Sequence, residues 1–261
     1  STASMRLGLT ATPPGDAPAA NLATLIGPVV FELGIQDLAG SYLARFDVVT
    51  LWLDLTTEER RDYDAAMRPF LEASRAHSRV APGATWAEFL RAATATDAGR
   101  KAVAGFHRAR KLLAFATAKR ERLGEILRRH EKDRTLVFTA DNDAAYEIAR
   151  SHLVMPITCD IGRKERADAL SDFRDGRLRA LVSARVLNEG LDVPDADIAV
   201  VVGATLGERE HVQRLGRVLR PRPGKRATIY ELVLRNTMEA NAAKRRRERV
   251  FGRVSSGANR R

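Results

Sequence analysis

Ile198-Ala199-Val200-Val201-Val202 holds five consecutive apolar residues with no polar residue between them. A strand with one wet face alternates. A strand covered on both faces does not, so this run predicts a central parallel strand between two helical layers. Working outward, Thr135-Leu136-Val137-Phe138-Thr139, Pro156-Ile157-Thr158, Ala180-Leu181-Val182-Ser183 and Thr228 to Leu234 read as further strands. Helical patterns lie between them: Leu123, Ile126 and Leu127; Ala145, Ile148 and Ala149 behind an Asp141 cap; Ala167, Leu170 and Phe173; Val212, Leu215 and Leu219; and a last helix from Met238. Strands alternating with helices predict an α/β fold with a doubly wound parallel sheet.

The first half reads differently. Leu7-Gly8-Leu9-Thr10-Ala11 is read as the end of a buried strand, followed by a Pro/Gly/Ala-rich loop from Pro13 to Ala20. A chain that opens on a strand is expected to have been cut from that strand's neighbours. Leu51 to Leu55 is a further strand candidate. Thr56 with Glu59, and Thr85 with Glu88, have the spacing of capping boxes. Tyr63, Met67, Phe70 and Leu71 share a helical face, so residues 56–116 are expected to be helical with a break at Val80-Ala81-Pro82-Gly83.

The net charge is +11, and its distribution matters more than its size. Residues 1–115 carry 13 basic and 12 acidic groups, residues 116–243 carry 23 and 20, and residues 244–261 carry 8 and 1. The excess therefore lies in the tail: Lys244, Arg245, Arg246, Arg247, Arg249, Arg253, Arg260 and Arg261. Such a cluster suits a phosphate backbone, or else it is a solvated helix end. A mean hydropathy of −0.28, and no apolar run near the ~20 residues that span a bilayer, exclude a membrane-embedded class. Cys159 is the single cysteine, so no intrachain disulfide forms and a reducing, cytoplasmic location is expected. It is read as a half-buried strand residue. The five histidines have no metal-ligand spacing, and no metal site is expected.

Three stretches carry chemistry. In Gln213-Arg214-Leu215-Gly216-Arg217-Val218-Leu219-Arg220-Pro221, Arg217 and Arg220 are three apart and share one helical face. Two permanently charged forks suit a polyphosphate, although on spacing alone a basic surface helix is the better reading. In Ser183 to Pro194 the chain leaves a strand, turns through Gly190 and places Asp192 where α/β sheets bind ligands. Thr10-Ala11-Thr12 follows a strand candidate and alone would be a turn.

Together these stretches resemble superfamily 2 helicases, with Leu9 to Pro13 similar to motif III, Val137 to Thr139 to motif IV, Val186 to Pro194 to motif V and Gln213 to Arg220 to motif VI, in the family's order. Residues 187–196 and 208–221, with Tyr230-Glu231-Leu232 and Ala243 to Arg247, resemble the archaeal and bacterial XPB-type helicases more narrowly. The resemblance implies a RecA-like (P-loop NTPase-type) parallel sheet flanked by helices, with a helical thumb-like insertion. It divides the chain into residues 1–46, the remnant of a first RecA-like domain; residues 47–116, the thumb; and residues 117–261, a second RecA-like domain with its basic tail. It implies an ATP-dependent DNA helicase or translocase acting 3′ to 5′ in DNA repair of the nucleotide-excision type.

Roles follow by the same resemblance. Arg217, Arg220 and Gln213 would be catalytic, and Gly190 and Asp192 would line the nucleotide cleft with the two arginines. Thr139, Ser183 and Arg185 would lie near DNA, while Thr10 and Thr12 would couple hydrolysis to strand separation. Implied partners are single-stranded or forked DNA, an N-terminal helicase half in cis, and a nuclease through the thumb. Two departures stand out: Pro13-Pro14-Gly15-Asp16 replaces an Arg-Glu-Asp triplet, and Ala184-Arg185 replaces a Thr-Asp pair. The sequence holds no G-x-x-x-x-G-K-[ST] loop and no DExx box, so the groups that hold ATP and Mg²⁺ are expected elsewhere in an intact protein, and this chain alone is not expected to hydrolyse ATP. A standalone DNA-binding or regulatory module, and another superfamily 2 translocase (a restriction or remodelling motor), are the alternatives.

Overall fold

The computed structural model describes residues 5–10, 22–31, 41–184, 195–203 and 224–250, with residues 245–250 described by backbone alone. Six strands form one sheet: β1 (Arg45–Leu53), β2 (Thr135–Phe138), β3 (Met155–Ile157), β4 (Ala180–Ser183), β5 (Ile198–Val201) and β6 (Arg226–Leu234). Their order across the sheet is β1-β6-β5-β2-β4-β3, and every adjacent pair is parallel. The longer helices among the described residues are α1 (Thr57–Val80), α2 (Trp86–Thr94), α3 (Asp97–Ala114), α4 (Thr117–Arg129), α5 (Asn142–His152), α6 (Arg163–Arg174) and α7 (Met238–Val250).

β2 and β5 are buried at every residue, as the unbroken apolar run requires. Alternate side chains serve two cores. Val137, Val200, Leu232 and Leu234 pack with Tyr63, Phe106, Leu113, Leu123 and Ile148 from α1, α3, α4 and α5. Leu136, Phe138, Ala199, Val201 and Ile229 face the other way, onto Ala169, Leu170 and Phe173 of α6. The period-2 alternation of strands makes both layers from the same short segments.

Helix starts follow the side-chain chemistry. Thr56 and Glu59 close a reciprocal capping box at the head of α1, Thr85 and Glu88 do the same for α2, and Asp141 caps α5 through the N–H of Ala144. Each cap satisfies N–H groups that the helix cannot, worth about 1 kcal/mol. α1 stops at Val80, and Gly83 turns the chain with φ of +80°.

Three expectations need correction. The strand expected at Leu51 to Leu55 is Arg45–Leu53, and it pairs along its whole length with β6, from Arg45 with Arg226 to Leu53 with Leu234. A boundary between residues 46 and 47 therefore falls inside β1, whose ladder belongs to the sheet of residues 117–261. The helical stretch expected over residues 56–116 is present as α1 to α3. Residues 5–10 form no strand, and Leu7 and Leu9 are 81% and 86% exposed. A strand holds its shape through a ladder, and this segment is not a strand of the described sheet. Cys159 is exposed beyond the end of β3, because that edge strand stops at Ile157.

Candidate nucleotide and nucleic-acid face

The C-terminal edge of the sheet is where α/β folds bind ligands, because loops and helix N-termini converge there. Here β5, β2 and β4 lie side by side. Thr139 and Ser183 end neighbouring strands: the Thr139 N–H donates to the Ser183 carbonyl at 2.9 Å. On the other side, the Val202 N–H donates to the Phe138 carbonyl, also at 2.9 Å. A Cβ on Gly203 would stand 3.0 Å from the Ala140 backbone nitrogen, tighter than most side-chain contacts, so glycine eases this approach. The stretches resembling motifs V and VI, Val186 to Pro194 and Gln213 to Arg220, thus follow two strands that flank β2.

Thr139 and Ser183 are brought together at this edge, and both are fully buried. The Thr139 hydroxyl donates to the Asp141 carbonyl at 3.0 Å, holding the turn that starts α5. The Ser183 hydroxyl has no hydrogen-bond partner among the described residues. Neither side chain is on the surface in this arrangement. The Thr139 hydroxyl sets the path of the Ala140–Asn142 turn. Thr10 lies in the exposed segment 5–10. Thr12, Arg185, Gly190, Asp192, Gln213, Arg217 and Arg220 lie outside the described residues, as do the Pro13–Asp16 departure and the helix expected through Val212.

Two features of this edge escaped the sequence. A cleft of about 390 Å³ opens where the helical segment meets the sheet, lined by Asp62, Arg108, Lys111, Phe115, Asp141 and Asp143 among others. Lys111 and Asp143 close a 2.7 Å ion pair across it. Their mutual hydrogen bond holds the Lys111 ammonium above its ordinary pKa and the Asp143 carboxyl below its own. Both are exposed, so solvent screens the pair. Farther along, Asn142 donates to Cys159 Sγ at 3.0 Å and to Asp160 at 3.1 Å, and the Tyr146 hydroxyl meets Thr158 at 2.7 Å. No spacing rule links residues 62, 111 and 143. Only folding brings them together.

Among the described residues no group of three His, Cys, Asp or Glu could hold a metal, and no helix is long and apolar enough to cross a membrane.

Comparison with known proteins narrows what this face belongs to. Residues 118–222 match the family described as the helicase conserved C-terminal domain. The chain is 34% identical over 247 residues to the DNA 3'-5' translocase XPB2 of Sulfurisphaera tokodaii, covering 93% of this chain and 56% of that protein. It is 39% identical over 124 residues to the DNA 3'-5' helicase XPB of Mycobacterium tuberculosis, covering 46% of this chain and 22% of that protein. The chain thus spans about half the length of the first relative and less of the second. Among solved structures, the Sulfolobus solfataricus SWI2/SNF2 ATPase core domain aligns with a TM-score of 0.56 at 15% identity, over 81% of this chain and 45% of that one. The Pyrococcus furiosus Hef helicase domain aligns at 0.52 and 15%, over 79% and 58%. These two structures speak for the fold alone, a RecA-like parallel sheet.

Proposed function

We propose that this chain, similar to the XPB-type superfamily 2 helicases and carrying their conserved C-terminal domain, supplies the arginine-bearing side of an ATP-driven DNA translocase. The observation that carries this reading is the 34% identity extending over 93% of the chain, motifs and helical segment together. In the proposal Arg217 and Arg220 reach the γ-phosphoryl group, where a permanent planar charge offsets the charge that develops on transfer. Gln213 couples the nucleotide to DNA, Gly190 and Asp192 line the cleft, and Thr10 and Thr12 relay hydrolysis. Ligands for Mg²⁺ and the main phosphate-holding loop belong to another segment of the intact protein, the N-terminal half in cis.

DNA is the proposed track, with movement 3′ to 5′ and a role in repair; a general transcription and DNA repair factor IIH helicase/translocase subunit XPB, from Antonospora locustae, is 28% identical over 93% of this chain. Arg185 and the Thr139–Ser183 edge lie beside the strand in this reading, with the basic tail adding phosphate contacts. Residues 57–116 form the thumb, and a nuclease docking there is a further part of the proposal. A cytoplasmic location suits the exposed Cys159, which stays a thiol in a reducing compartment.

The test uses the full-length gene product. Arg217→Ala or Arg220→Ala should lower DNA-stimulated ATP hydrolysis by about 10³-fold while DNA affinity is retained. Normal turnover in both variants would refute the arginine assignment.

A further inference from the structure

The helical excursion α1–α3 leaves the sheet after β1 and returns to it at α4, and one carboxylate holds both of its ends. Glu59 Oε2 accepts from the Thr56 N–H at 3.0 Å, closing the first turn of α1. Glu59 Oε1 accepts from the N–H and the hydroxyl of Thr117, at 2.8 and 2.9 Å. α4 has no side-chain cap of its own, so Glu59 supplies the acceptor for its first N–H. A carboxylate between two helix N-termini is also favoured by both helix dipoles. Burial alone would raise the Glu59 pKa, but the hydrogen bonds from Thr117 and Thr56 outweigh it and hold the carboxyl below its usual range.

The neighbouring residue grips a different element. The Arg60 guanidinium donates to the carbonyls of Arg235 and Asn236, each at 2.9 Å. Asn236 has φ of 55°, a left-handed turn between β6 and α7. The Tyr63 hydroxyl accepts from the Met238 N–H at 2.9 Å, in the same turn. The first two turns of α1 thus hold the start of α4 and the end of β6. Apolar packing of Tyr63 and Met67 supports this root, but packing is non-directional and tolerates sliding. Hydrogen bonds to fixed backbone groups do not.

We propose that Glu59 and Arg60 are positioning residues that mount the helical excursion rigidly on the sheet, so that it moves with β6 and α7 as one body. The consequence for a motor rests on the function proposed above. An arm beside DNA passes on a movement of the nucleotide cleft only if its root does not yield.

Distances between two nitroxide labels test the mount in this chain directly. One label sits on native Cys159, exposed beyond β3, and the other on A87C, an exposed position of α2. The parent should give one narrow distribution, and E59A/R60M a distribution roughly twofold wider. E59Q, which keeps an acceptor for Thr117, should stay narrow. R60M alone leaves both caps intact and serves if the double variant fails to fold; it should also broaden the distribution. A distribution as narrow as the parent's in the folded root variants overturns the mount. In the full-length gene product, E59A/R60M should keep near-parental ATP hydrolysis while DNA moved per ATP falls roughly tenfold. A parallel fall in both, or in neither, overturns the coupling role. A parent protein that moves no DNA sinks the motor reading instead, and the distances still decide the mount.

Discussion

Lys119 and Glu239, 120 positions apart, meet as an ion pair at 2.7 Å, the lysine side chain fully buried and the glutamate 15% exposed. The pair ties α4 to the head of α7. Taking an ammonium out of water is expensive unless its partner stays, so the two single losses are not equivalent to the double loss. E239A should lower stability to urea by about 3–5 kcal/mol, because it takes the carboxylate at 2.7 Å away from the buried ammonium. K119M/E239M, which removes both charges at similar volume, should recover most of that loss. A double variant as unstable as E239A would show that the ion pair itself, rather than the buried charge deprived of its carboxylate, carries the energy.

The β1–β6 ladder sets the smallest unit that can fold. Tyr230 to Leu234 are all buried, with β1 on one side of β6 and α1 and α3 packed on the face that carries Leu232 and Leu234. A truncation spanning residues 117–261 leaves β6 as a bare, apolar edge, a template for aggregation. It should be insoluble or melt without a cooperative transition, whereas residues 41–261 should melt cooperatively. A sharp calorimetric transition from residues 117–261 would show that β1 is dispensable.

That ladder also shows where sequence reading stops. Capping at Thr56, Thr85 and Asp141, and the doubly covered strand at Ile198, are local: spacing of a few residues decides them. β1 is not local. Its partner lies some 180 positions away, and its half-buried residues show no pattern that tells a sheet edge from a strand leading into helices. The candidate site divides the same way. Arg217, Arg220 and Asp192 stand out by their motifs, but the turn that Thr139 holds, and the cleft joining Asp62 to Asp143, depend on elements far apart in the chain.

His152 gives the stability a pH dependence of predictable sign. Burial against α4 lowers its pKa, and the charges of Arg128 and Arg120 lower it further, against a partial offset from a backbone contact with Arg120. The unfolded chain, with a histidine pKa of about 6.5, therefore binds the proton more readily than the folded one. The neutral ring's contribution is complete above about pH 6.5 and is lost as pH falls through the folded-state pKa. Melting temperatures of the parent and H152Q should converge as pH drops from about 7.5 to about 5.5. A constant gap across that range would show that the ring's titration is not linked to folding.

The basic tail divides electrostatic attraction from sequence-independent packing. Lys244, Arg245, Arg246, Arg247 and Arg249 crowd five positive charges into six positions, on the helix that Lys119 anchors through Glu239. If they meet phosphates, each contact releases condensed counterions, and the affinity carries a matching salt dependence. Replacing all five by glutamine keeps good helix formers while removing the charge. For single-stranded DNA the slope of log affinity against log salt should become shallower by about 0.7 per lost contact, so by about 3.5 if all five bind. The variant should be weakest relative to the parent at low salt and approach it as salt rises. A slope identical to the parent's would place the tail in solvent and take it out of the proposed DNA contacts.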